Sequence, residues 1–182
     1  MKLFFILPFL VLATPGLAFD DPQTGFGLDL GDKFLIDTDV AQSPDYSVLV
    51  GVRMASGIPA PVAGEANLCL AGFTASDANT GMSQTEINAF ANTPQWGSLI
   101  RTSLAPVMSV ETMTGAQVGE VFGTEVVARP KTGPDADNVR LVLTILEIPA
   151  GRISVSCVAT AVTLDAMLPS FRDIRDGIKP PV

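Results

Sequence analysis

The chain contains no histidine, and that absence closes off more chemistry than any motif opens. A Ser/His/Asp or Cys/His nucleophile system needs an imidazole to take and return a proton, so neither can be built. His-ligated zinc, the H-E-x-x-H metalloprotease helix and His-ligated haem are excluded for the same reason. Cysteine is nearly as scarce, with two residues in 182. If both enter one disulfide, no thiolate is left for a Cys₄ zinc or iron–sulfur site. One tryptophan and one tyrosine make a thin platform for stacking sugars. No G-x-x-x-x-G-K-[ST] phosphate loop occurs. The run "TGFGLDLG" has G-x-G without the third glycine, and its acids would repel phosphate, so it reads as a loop or strand edge. Cations are also few, eleven Lys and Arg against nineteen Asp and Glu, for a net charge of −8. Such a surface argues against nucleic acid and against anionic membranes as partners. The acidic stretch "DLGDKFLIDTD" lacks the ligand offsets, central glycine and closing glutamate of an EF-hand. No cofactor and no metal site are therefore expected.

What is present begins with an export signal. In "MKLFFILPFLVLATPGLA", Lys2 precedes an apolar run from Leu3 to Ala13, and Gly16-Leu17-Ala18 supplies small residues where a signal peptidase cuts. Residues 1–18 are thus expected to be a secretory signal peptide, giving a secreted or periplasmic protein with no membrane insertion after cleavage. Its removal leaves ten basic residues against nineteen acidic ones, a net charge of −9. Residues 19–45 carry seven aspartates, from Asp20 to Asp45, opposed by Lys33 alone. This segment reads as a solvated acidic arm or edge, or else as a docking strip for a basic partner or a weak cation site. With 47 % hydrophobic residues, residues 46–182 are long enough for one domain with its own core.

Export changes the meaning of the cysteines. In an oxidising compartment an even, small number implies disulfides, and two cysteines allow one pairing, Cys69 with Cys157. Both lie in strand-like segments, "ANLCLAGFT" and "RISVSCVATA". A reactive thiolate would need a nearby cation or helix N-terminus, and the nearest basic residue, Arg152, is five positions from Cys157. Closing so long a loop stabilises a fold by roughly 4–5 kcal/mol in the chain-entropy picture.

Element signals follow along the chain. "YSVLVGVRM" (Tyr46 to Met54) reads as a strand, "ASGIPAPVAGE" as a loop, and the Cys69 segment as a second strand ending near Thr74. Ser83 to Glu86 has the spacing of a capping box, with Ile87 and Phe90 behind it. Thr93-Pro94 restarts a helix whose apolar stripe is Trp96, Leu99, Ile100 and Leu104. Strands are expected over Pro106 to Met113, Glu120 to Pro130 and Asn138 to Pro149, the last nearly continuous in apolar residues and so central. Pro149-Ala150-Gly151 makes a tight hairpin into the Cys157 strand. A helix from about Leu164 to Gly177 closes the chain, with Thr163 as candidate cap and Pro169 an obstacle that would start or kink it near Leu168. Runs of strands with helices between and after them indicate an α+β class: an antiparallel sheet with helices packed on it, stapled by one intramolecular disulfide.

The ending, "NVRLVLTILEIPAGRISVSCVATAVTLDAMLPSFRDIRDGI", resembles the C-terminal part of PsbP-like domains: long strand, P-x-G turn, strand, then a helix with an aromatic before its end. That superfamily includes the extrinsic PsbP proteins of photosystem II and exported bacterial proteins. The resemblance implies an α-β-α sandwich around an antiparallel sheet and mostly non-enzymatic, partner-binding roles. It carries over no functional residue.

Two side chains stand out as candidate contacts. Trp96 lies on a helical stripe, where it either packs in the core or stacks on a ligand. Glu147 lies in the apolar run "LTILEIP", and facing a pocket it would be a candidate general acid, because desolvation favours the neutral carboxyl. Glu120 and Glu125 flank a strand near Arg129. With no catalytic constellation, the expected function is an exported, non-catalytic domain that binds another envelope or secreted protein. A small-ligand carrier with a pocket near Trp96 is the alternative, and a carboxylate-dependent hydrolase the third.

Overall fold

The computed structural model describes residues 18–62, 65–133 and 135–181; apart from Ala18, the expected signal peptide lies outside the described residues. The chain opens with β1 (Ala18–Asp20), β2 (Gly27–Asp29), β3 (Phe34–Asp37), β4 (Val48–Met54) and β5 (Cys69–Ala75). Two helices follow, α1 (Gln84–Ala91) and α2 (Pro94–Leu104). Four long strands come next, β6 (Met108–Val118), β7 (Val121–Pro130), β8 (Val139–Ile148) and β9 (Gly151–Thr160). The helix α3 (Leu164–Asp176) and the short β10 (Ile178–Lys179) end it. The main sheet has seven strands in the order β3-β4-β5-β9-β8-β7-β6, and a small one has the order β1-β2-β10. All pairings are antiparallel. This is the expected α+β architecture.

Alternation along the strands sends side chains to two faces, and each face has its own core. On one face Val50, Val52, Ala71, Phe73, Leu146, Ile153 and Val155 pack against Met167, Phe171 and Ile174 of α3. These three residues form the apolar stripe of that helix, with Leu164 and Leu168 packed partly buried at its border. On the other face Val126, Ala128 and Ile145 pack against Trp96 and Ile100 of α2. Helices on both faces make the sandwich.

The disulfide joins Cys69 to Cys157, which stand directly opposite each other in β5 and β9. Val158 N–H donates to the Leu68 carbonyl at 3.2 Å, so the adjacent cysteine pair occupies a non-hydrogen-bonded position, where facing side chains stand closest. Both cysteines are buried in the α3-side core. The capping box also forms as spaced: Ser83 Oγ accepts from Glu86 N–H, and Glu86 Oε2 accepts from Ser83 N–H at 2.8 Å.

Several expectations need correction. Residues 19–45, expected to be a solvated acidic arm or edge standing before the domain, supply three strands, and Phe26, Leu28, Leu30 and Phe34 are buried in the main core, so of those two readings the edge is the one observed. Leu99 is 53 % exposed. Helix α2 rests on the row Trp96, Ile100, Leu104 at i, i+4, i+8, and Leu99 lies a further 60° or so round the helix. The strand expected to stop at Met113 runs on to Val118. Thr163 does not cap α3; its hydroxyl instead accepts from Thr160 N–H at 3.1 Å, closing the turn after β9. Helix α3 runs through Pro169 from Leu164, because Pro169 is exposed and the helix is held by the stripe on its opposite side.

Candidate functional site

The two carboxylates best placed for chemistry are both engaged. Glu125 is in the middle of β7 on the α3 side, its side chain 5 % exposed. It does not meet Arg129, which pairs with Asp137 instead. Arg172 Nη2 donates to Glu125 Oε1 at 2.6 Å, and Arg175 Nη1 donates to Oε2 at 3.2 Å. Hydrogen bonding to Glu125 raises the pKa of Arg172 further above its ordinary value. Arg172 and Arg175 are three residues apart and so share one helix face; that spacing was the available signal for this tie. It locks α3 onto the sheet, and its members satisfy one another.

Glu147 is held in the same manner near the C-terminal end of β8. Its Oε1 accepts from Arg152 Nε at 2.5 Å, directly across the β8–β9 pair, and its Oε2 accepts from Asn79 Nδ2 at 3.0 Å. Asn79 also donates to the Ile148 carbonyl, and Gln84 Nε2 donates to the Glu147 carbonyl. Glu147 thus anchors the segment that leads into α1. Trp96 is buried in the α2-side core, its Nε1–H donating to Thr124 Oγ1 at 2.7 Å. The structure does not bring Trp96 and Glu147 together.

An open groove exists elsewhere, on the α1/α2 side of the sheet but at the end those helices leave uncovered. Its volume is about 540 Å³. The floor comes from β4, β5, β8 and β9, with Leu49, Leu70, Leu141 and Val158; the rim carries Asp37, Asp39 and Glu65. Neither Trp96 nor Glu147 lines it. Two glycines explain how the loops lie so close to the strands. A Cβ on Gly51 would stand 2.3 Å from Asn67 Nδ2, and one on Gly72 would stand 2.6 Å from Tyr46 Cδ1. Without those side chains Asn67 and Tyr46 rest on the sheet itself, and Tyr46 Oη accepts from Ser154 Oγ at 3.1 Å.

The rim is built of acceptors. Asn67 Nδ2 donates to Asp37 Oδ2 at 3.3 Å, and Asp37 Oδ1 accepts from Asp39 N–H at 3.0 Å. Asn67 Oδ1 is the one buried side-chain polar atom without a hydrogen-bond partner among the described residues. Among the described residues, the Asp39 and Glu65 carboxylates accept no hydrogen bond there. Leu70 is 38 % exposed at the floor. Sequence reasoning had the acidic strip as a whole but not its pairing with the 65–67 loop, since those two stretches are brought together only by the β3–β4–β5 order.

No protein-family model matches the chain, and no curated protein matches it. Among solved structures, it is similar to the solution structure of cyanobacterial PsbP (CyanoP) from Synechocystis sp. PCC 6803, with a TM-score of 0.50 and 8 % identity over 90 % of this chain and 91 % of that one. It is also similar to PA94, a Pseudomonas aeruginosa protein of unknown function, with a TM-score of 0.45 and 9 % identity over 83 % of this chain and 85 % of that one. The PsbP-like resemblance read from the last strands and helix therefore extends, as a fold, over nearly the whole chain.

Proposed function

We propose that the chain is a non-catalytic accessory domain working outside the cytosol, and that its groove takes a basic, partly apolar segment of another envelope or secreted protein. The observation that carries this reading is the pairing of an apolar floor, Leu49, Leu70, Leu141 and Val158, with a rim of Asp37, Asp39 and Glu65. A segment with Lys or Arg flanking an aliphatic side chain would satisfy both, and the acids would steer its approach. The buried disulfide and the PsbP-like fold agree with an extracytoplasmic setting. That Glu125 and Glu147 are committed to arginines favours binding over acid–base chemistry.

Cross-linking in intact cells and affinity recovery test the proposal when wild type is compared with Asp39→Asn/Glu65→Gln. The expected result is one reproducible partner that the double variant loses and that high salt weakens. Equal recovery with both proteins would overturn it. A second reading, a small-ligand carrier, is favoured by the groove volume, which falls within the usual range for ligand pockets. Native mass spectrometry of freshly purified protein separates the two, because a carrier would keep a small added mass and a docking groove would not.

A further inference from the structure

The main sheet has two margins, and they are built differently. The β3 margin is four residues long and ends on Asp37; short length and charge are both devices that keep an edge from recruiting another strand. The β6 margin is 11 residues long, and from Thr112 to Val118 it has no ionisable side chain and no proline. A register shift between Val110 and Thr112 disrupts only its beginning.

Hairpin geometry fixes which groups of β6 face outward. Val118 pairs with Val121 across the two-residue turn Gly119–Glu120, and the pair closing such a turn exchanges hydrogen bonds. Alternation from Val118 then directs the N–H and C=O of Met113, Gly115 and Gln117 away from β7. No protein hydrogen bond among the described residues reaches these six groups.

We propose that β6 pairs antiparallel with β6 of a second copy, about a two-fold axis at Gly115. In that register Gly115 faces itself, Met113 faces Gln117, Thr114 faces Ala116 and Thr112 faces Val118. Three N–H and three C=O groups on each strand then meet their complements, as an isologous interface requires. In a chain of net charge −8, this uncharged strip is where two copies can approach without repulsion. The nearest acid along β6, Glu111, is held by Arg140 at 2.8 Å and would lie opposite Gly119 of the second copy; Glu125, across from Thr114 on β7, is neutralised by Arg172 and Arg175. The sheet face at the axis is open: a Cβ on Gly115 would meet no atom of the described residues within 4 Å. The strand order puts β6 at the far margin from the groove, so pairing leaves the groove open.

Sedimentation and amide hydrogen exchange on the oxidised protein, from micromolar to millimolar concentration, test this. The mass is expected to double across that range, with the Met113, Gly115 and Gln117 amides slowing in step. Gly115→Lys is expected to keep the wild-type thermal transition and to stay monomeric, because two lysines would face each other at the axis. A wild-type monomer throughout, a dimer whose three amides exchange at the monomer rate, or a dimeric Gly115→Lys would each overturn the pairing. Should Gly115→Lys fail to fold, exchange in the wild type decides alone.

Discussion

Glu125 shows how far a single buried charge depends on what surrounds it. Its carboxylate is out of water on β7 and compensated by two guanidiniums from α3. Removing the cations leaves that charge buried alone, whereas removing the carboxylate leaves arginines that can turn outward, Arg172 being already half exposed. Replacing Arg172 and Arg175 together by Met is therefore expected to cost about 3–5 kcal/mol in urea unfolding, and Glu125→Leu much less, near neutral. Equal losses in the two variants would contradict the tie. At this scale the sequence was partly legible. The pairing of Cys69 with Cys157 follows from count and compartment. The partner of Glu125 does not, because Arg129 is nearer in sequence but lies near the strand's end, where Asp137 takes it.

The elements show where local patterns suffice. Ser83 with Glu86, and Thr93 with Pro94, start their helices where the spacing says, since a cap is satisfied by bonds within one turn. Glu86 also gives that start a pH dependence. Hydrogen bonding from Ser83 lowers its pKa from the ordinary 4.5, so the folded carboxyl holds its proton less tightly than the unfolded one. The capping contribution is then complete above that value and lost as pH falls through the lower folded one. The first-turn amides of α1 should exchange faster relative to those of α3 below pH 4.5, and Ser83→Ala should remove that difference. An unchanged ratio across the window would contradict the cap. Strand β2 was more legible than its reading as a loop or strand edge allowed: Phe26, Leu28 and Leu30 alternate with Gly27 and Asp29, the period-two signal of a half-buried strand. The surrounding aspartates hid it, because they mark solvent on one side of the strand and not an absence of structure.

In the whole molecule, the seven-stranded sheet gathers segments far apart in the chain, and the disulfide closes a long loop, with a sequence separation of 88. Cys69→Ala/Cys157→Ala is expected to lower stability by about 4–5 kcal/mol, with the same far-ultraviolet circular dichroism at low temperature. A loss below about 1 kcal/mol would mean that the bond braces little. The groove belongs to this scale as well. Asp37, Glu65 and Leu141 come from three parts of the chain, and only the strand order makes them neighbours, which is why no local motif announced it.

The groove is tested most directly by a photo-activated cross-linking residue placed at Leu70 on its floor and, as a control, at Val162, which is 89 % exposed and outside the groove. In intact cells, the expected result is one basic partner captured from Leu70, none from Val162, and none from Leu70 when Asp39→Asn/Glu65→Gln is added. The same adducts from both positions, or capture from Leu70 that ignores the two acids, would contradict the assignment of this groove as the binding site.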